Sequence, residues 1–382
     1  MRVFQIIHKY NPYIPYFENK YNIRDLGLTY SEHRNMLRRD RFYSPHILKP
    51  ALNNESHAFY TMWNYSALQI KWAQERGWKE TDLKKILFAQ IEDFKPDVFY
   101  SCSPIHFKKH EINNIGNHKM IKIAWFASPE KNNIDFSAYN TRLTNYPIDV
   151  RKKSETNYRT DLFQPSIDPE MADIAESNDR EVDIFFYGQY YPDYFKTRNK
   201  YIDKLIELKK RENWNIRIAL LYNLEYKTVL PRLIPKKVRN SRFTKWFRLK
   251  NKIVFPLEVI RENTVNPYYG IDLYNEISKS KIVFNAAVDF SGEYKVNMRN
   301  IETLGCAAHM ISDDGIYPKG LEKGSDFTIY HSFEDFVEKV KYFLSNPEES
   351  RKIALKGYHT VHNNFSKEIQ WQKFQKIVEN LK

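Results

Sequence analysis

The sequence predicts an α/β protein with two parallel sheets, each flanked by helices, facing one another across a cleft. Three observations predict it. Short β-rich apolar runs alternate with stretches of helical apolar spacing, the signature of crossover connections in a parallel sheet. That rhythm pauses in a polar, proline-containing stretch near residue 170 and then restarts. The chain has 382 residues, 42% of them hydrophobic and 15% aromatic, enough for two cores of ordinary size.

The elements follow in order. VFQII (3–7) reads as a first buried strand, ending in a Pro- and Tyr-rich loop, NPYIPYF. A mostly helical stretch is expected over 56–76. In 82–94, Leu83, Ile86, Leu87, Ile91 and Phe94 recur at helical spacing until Pro96 stops them. DVFYS (97–101) and IKIAWFA (121–127) are further strands. Residues 163–180 read as a connection. The second half then runs VDIFFYG (182–188, strand), 198–210 (helix), IRIALLY (216–222, strand), 272–280 (helix) and KIVFNAA (281–287, strand). A helix opening at NIETLGCA (300–307), a strand HMISDD (309–314) and helices from 333 onward complete it. This is the layout of two Rossmann-like domains. Their expected limits are 1–170 and 171–365, the second with a basic insertion at about 228–255. A closing helix in 366–382 is expected to pack back on the first domain.

Sixty Lys and Arg against 47 Asp and Glu give a net charge of +13, which favours acidic partners such as nucleotide phosphates, anionic lipid or nucleic acid. The two cysteines, Cys102 and Cys306, form no CxxC pair and imply neither a disulfide framework nor a zinc site. The apolar run at the start stops at His8 and Lys9, too short for a signal peptide. No stretch approaches the roughly 18 apolar residues of a membrane span. The expectation is a cytoplasmic protein, soluble or peripheral on the inner face of the plasma membrane.

Three stretches of the second half carry a family resemblance: YYGIDLYNEISKSKIVFNAA (268–287), VNMRNIETLGCAAHMISDD (296–314) and the tail from FTIYHSFEDFVEKV onward. They resemble the nucleotide-binding domain of GT-B glycosyltransferases, in particular the group 1 enzymes and the CgeB-like, spore-maturation type branch. In the first half FKPDVFY, IAWFASPE and FQPSID are similar more loosely. The resemblance implies that the second domain binds a nucleotide sugar and the first an acceptor, a saccharide or a lipid-linked one. It implies no cofactor beyond that donor. The implied setting is bacterial surface polysaccharide or glycoconjugate synthesis.

It also marks the donor site. Glu302 matches the family position whose carboxylate accepts hydrogen bonds from both ribose hydroxyls, as a two-oxygen acceptor can. Lys295, Asn297 and Arg299 precede it, where a cation would stabilise the departing diphosphate. Retaining members carry another Glu eight positions before Glu302. Here that position is Tyr294, with Glu293 one place away. Gly188 ends a predicted strand and allows close approach of a ligand to the backbone. Lys196 and Arg198, at the next helix start, are candidates for a second phosphate clamp. In the first half His8, His106 and Glu130 follow predicted strands, where ligands of open parallel sheets bind, and are the candidates for a catalytic base. No DxD is present to bridge a metal to the diphosphate, and Asp313-Asp314 reads as a strand end, so no metal site is expected.

The sharpest charge feature lies at 228–255, where nine Lys or Arg residues alternate with Phe243, Trp246, Phe247 and other apolar residues, with no acid among them. Such a mixture suits contact with an anionic membrane. No nucleic-acid-binding motif accompanies it, so no nucleic-acid partner is expected. The rival readings are a sugar-nucleotide epimerase of the same fold and a non-catalytic protein binding a nucleotide sugar or a membrane.

Overall fold

The structure, a computed structural model, describes residues 1–117, 119–127, 134–147, 158–176, 179–191, 195–222 and 257–382. Two wholly parallel sheets organise it. The first contains β1 (Val3–Ile7), β2 (Ala58–Met62), β3 (Val98–Ser101), β4 (Ile121–Trp125), β5 (Thr141–Thr144) and β6 (Thr160–Leu162), in the order β2-β1-β3-β4-β5-β6. The second contains β7 (Val182–Tyr190), β8 (Ile216–Tyr222), β9 (Ser280–Asn285), β10 (His309–Asp313) and β11 (Thr328–Tyr330), in the order β11-β10-β9-β7-β8. Two Rossmann-like domains with parallel sheets are therefore present, as the sequence predicted. The central strands are apolar along their length because helices cover both faces: every residue of β1 and of β4 is buried.

Several elements differ from expectation. Residues 56–76 are a strand, β2, followed by a helix, Ser66–Gln74. The Pro- and Tyr-rich loop is largely a helix, Tyr13–Tyr21. Pro15 fits there because it falls in the first turn, where the missing N–H has no intrahelical partner to lose. The connection after residue 163 holds a short helix, Glu170–Ala175. Gly188 does not end its strand, since β7 runs on to Tyr190. The expected basic insertion, 228–255, lies outside the described residues, as does Glu130.

The chain crosses between the sheets twice, close together. Ser166 N–H donates to Pro45 O at 3.0 Å, and Ile167 N–H donates to Phe365 O at 2.8 Å. After the second crossing, helix Lys367–Glu379 lies on the first sheet. Phe374 is fully buried in that core, 5.1 Å from Tyr100 and 6.0 Å from Phe163 between ring centroids. Lys367 Nζ donates to Ser44 O and Ile47 O at 2.5 and 2.7 Å. A second tie joins the domains at the cavity wall. Ile271 N–H donates to Asp40 O at 2.9 Å, and Lys20 bridges Asp40 (3.0 Å) and Asp272 (2.8 Å).

Candidate functional site

A cavity of about 360 Å³ lies between the carboxyl ends of β1 and β7. This is where an open parallel sheet leaves space for ligands, because its crossover loops diverge there. Both domains line it: His8, Tyr10 and Phe42 from the first, Gly188, Tyr269 and Glu302 from the second.

Glu302 sits in the first turn of helix Arg299–Gly305 and is only 6% exposed. One carboxylate oxygen accepts from the Tyr187 hydroxyl at 2.9 Å. Burial raises the Glu302 carboxyl above the ordinary range, opposed by the Tyr187 hydrogen bond and by Arg299. The other oxygen makes no hydrogen bond among the described residues, and Glu302 borders the cavity.

Arg299 spans two strand ends. Its guanidinium donates to Asn285 Oδ1 at 2.7 Å and to Tyr187 O at 2.8 Å. Its nearness explains the glycine at 188: a β-carbon there would stand 3.2 Å from Arg299 Nη2. Arg198 approaches from the next helix. It is 5% exposed, stacks 4.0 Å from the Phe195 ring centre and donates to Gln189 O at 2.7 Å. Burial, and then the charge of Arg299, press the Arg198 guanidinium down to about 9. The Nε atoms of both arginines are buried and have no partner among the described residues. Two like charges are thus held close together in a largely buried place, which is costly without a compensating anion.

The remaining donor-site candidates separate. Asn297 Nδ2 donates to Asn285 Oδ1 at 3.3 Å, the acceptor that Arg299 also uses, and neither residue lines the cavity. Lys295 is only 9% exposed and is paired with Asp313 at 2.7 Å. Lys196 is exposed. The free N–H of Thr197, at the same helix start, is already met by the Asp289 carboxylate at 3.1 Å. Glu293 is exposed, whereas Tyr294 is buried.

In the first domain the fold brings His8 and His106 together, with ring centroids 5.2 Å apart. His106 Nδ1 lies 2.9 Å from Ser103 Oγ, which itself accepts from Trp63 Nε1 at 3.0 Å. Burial lowers both imidazoles, and the nearness of His106 lowers His8 further. His8 borders the cavity and its Nδ1 has no partner among the described residues. Neutral imidazoles so placed are proton acceptors.

The sequence reading missed Asn285 and Tyr187. Asn285 is fully buried and holds Arg299, Asn297, Asn300 and Ser312 at 2.7, 3.3, 2.8 and 3.0 Å. Its signal was a polar residue closing the apolar run KIVFN, at a strand's carboxyl end. Among the described residues no group of three or more His, Cys, Asp or Glu side chains gathers as a metal cluster. No helix there is long and apolar enough to cross a membrane.

Residues 238–376 match a protein-family model described as "Glycosyl transferase-like". No curated protein sequence matches the chain. Among solved structures it is similar to Anabaena HepE in complex with UDP and glucose, at a TM-score of 0.57 and 9% identity over 100% of both chains. The same protein in complex with UDP-glucose gives 0.55 at 9% identity, again over 100% of both chains. TarM gives 0.51 at 12% identity, over 78% of this chain and 59% of that one. At these identities the likeness concerns the fold. The chain is thus a two-domain protein of the GT-B fold, and residues 238–376 of it match a glycosyl transferase-like family model.

Proposed function

We propose that the protein transfers a sugar from a nucleoside diphosphate donor to a saccharide or lipid-linked acceptor. The observation that carries this reading is a buried carboxylate, Glu302, bordering the interdomain cavity, with Arg299 close behind it and Arg198 near enough to Arg299 to feel its charge. A nucleoside diphosphate has the complementary groups: a ribose diol for Glu302 and a diphosphate for the arginines. As the bond to the sugar breaks, negative charge grows on the leaving diphosphate, and fixed guanidinia stabilise that charge without reorganising. His8, backed by His106, takes the proton of the acceptor hydroxyl. The family match and the neighbours' UDP and UDP-glucose complexes support the donor class.

The arginines supply the positive charge, so the reaction proceeds without a resident metal, and turnover persists in EDTA. Within group 1 we assign the chain to the spore-maturation type branch, in bacterial surface glycoconjugate synthesis. The basic, aromatic sequence at 228–255 supports docking to the anionic inner face of the plasma membrane.

The test is to incubate the protein with a panel of nucleotide sugars, with and without acceptor glycans, and follow nucleoside diphosphate release and products. Acceptor-dependent release, lost in Arg299→Ala, supports transfer. Conversion of a donor alone into another sugar nucleotide would establish an epimerase instead. Binding without turnover would make the protein a non-catalytic binder.

A further inference from the structure

Arg299 and Glu302 share one helix, Arg299–Gly305, of only seven residues. A helix that short does not hold itself together in water, so its position is set by what grips it. At its carboxyl end three successive carbonyls, which no further turn can satisfy, are each met by a side chain arriving from elsewhere. His362 Nε2 donates to Gly305 O at 3.3 Å, Arg180 Nη2 to Cys306 O at 3.2 Å and Arg351 Nη1 to Ala307 O at 3.0 Å. Arg180 also donates to Ser280 O at 2.6 Å, which ties this helix end to the start of β9.

The terminus carries two signs of being held under constraint. Ala307 keeps φ at +53°, a left-handed conformation that a residue with a β-carbon adopts only at a cost, so packing must enforce it. The two guanidinia also stand near enough to repel: burial, and then the charge of Arg351, press the Arg180 guanidinium down to about 10. The negative end of a helix is the place where two such cations find compensation.

Arg351 and His362 both belong to helix Pro347–Asn364, which lies directly against the donor-site helix. A β-carbon on Gly357 would stand 2.8 Å from Leu304 Cδ2 and 2.3 Å from Asp326 O, so glycine is what lets the elements approach this closely. Just after His362 the chain reaches Phe365, whose carbonyl accepts from Ile167 N–H where the chain crosses between the domains. Ile167, Leu304, Val361 and Phe365 share one buried core. One helix therefore braces both the donor-site helix and the crossing.

We propose that Arg351 and Arg180, neither of which lines the cavity, are positioning residues: by holding the far end of helix Arg299–Gly305 they set where Arg299 and Glu302 stand. The proposal rests on the nucleotide-sugar reading and adds to it which residues behind the site set the donor affinity. Because Arg299 and Glu302 ride on the same first turn, a helix released at its far end misplaces both at once.

The test is calorimetric titration of the protein with UDP, GDP and CDP, at a temperature where every variant is folded. Arg351→Ala is expected to weaken the diphosphate that the wild type binds about fivefold. Arg351→Lys keeps a cation at the helix end and is expected to recover part of that loss. Gly357→Ala leaves both arginines in place and forces the bracing helix away from Leu304. It is expected to weaken the same ligand, so the proposal remains falsifiable if Arg351→Ala misfolds. Val340→Ala, fully buried in the other core of the domain, is expected to lower the melting temperature and leave the affinity unchanged. Equal affinities in wild type, Arg351→Ala and Gly357→Ala, with lowered melting temperatures, would make the clamp a matter of stability alone and overturn the proposal while the donor reading stands. A loss of affinity in Val340→Ala as large as in Arg351→Ala would overturn it as well, since affinity would then merely follow stability. If no nucleotide binds the wild type, the donor reading fails and the proposal with it.

Discussion

The main-chain oxygen of Asp40 occupies the place a β-carbon on Gly270 would need, with only 1.9 Å between them. Gly270 also holds φ at +54°, a conformation that costs other residues about 1–2 kcal/mol. It opens the helix whose Ile271 N–H binds the same oxygen, so the two domains meet here backbone to backbone. Gly270→Ala is therefore expected to separate the domains at this point rather than merely strain one helix. Donor affinity should fall together with the melting temperature, and small-angle scattering should show a more extended particle. An unchanged scattering profile with unchanged affinity would show that this contact does not hold the cleft.

Asn285 fixes the position of Arg299 without bordering the cavity. Asn285→Ala removes partners from four polar side chains in a fully buried place and should cost about 1–3 kcal/mol. Because the guanidinium loses its anchor, kcat should fall more than the stability loss explains at temperatures where the variant stays folded. A variant with lower stability but wild-type kcat would reduce Asn285 to a packing residue.

Three histidines outside the cavity set the acid limit of the fold. Burial lowers His33 to about 4, and His46 and His309 to about 3, from the ordinary 6.5. Between about pH 6.5 and 4 the unfolded chain takes up these protons and the folded one does not, so stability falls as pH drops through that window. His309→Gln keeps hydrogen bonding toward Ser350 and Thr328 and should flatten the decline. Urea unfolding of both proteins between pH 7 and 4.5 checks this, and equal slopes would contradict it.

Legibility of the fold followed burial. VFQII, IRIALLY and KIVFN are buried on both sides, so their apolar runs announce strands. Thr141–Thr144 and Thr160–Leu162 are short, partly polar strands toward one edge of the first sheet, and their residues carry no such run. Ala58–Met62 merged with the helix after it because aromatic residues there fit either period. At the site, Glu302 and Arg299 were readable through the family pattern around them. The meeting of Arg198 with Arg299 was not, because about a hundred residues separate them and only the sheet order joins them. Lys295 carried the right charge in the right stretch, but its partner Asp313 arrives from the neighbouring strand β10. The Asp40–Tyr43 stretch has no local pattern at all, and its place at the cavity exists only once the Gly270–Ile271 backbone docks on Asp40.

The central claim is that Arg299 and Glu302 bind the two ends of a ribosyl diphosphate. Its most direct test is calorimetry of UDP against wild type, Arg299→Ala and Glu302→Gln, with inorganic pyrophosphate as a second ligand. The account predicts that Arg299→Ala weakens both ligands, by about 1.5–3 kcal/mol for a lost charge-assisted contact. It predicts that Glu302→Gln weakens UDP while leaving pyrophosphate unchanged. UDP binding that is indifferent to both substitutions would place the nucleotide elsewhere and contradict the account.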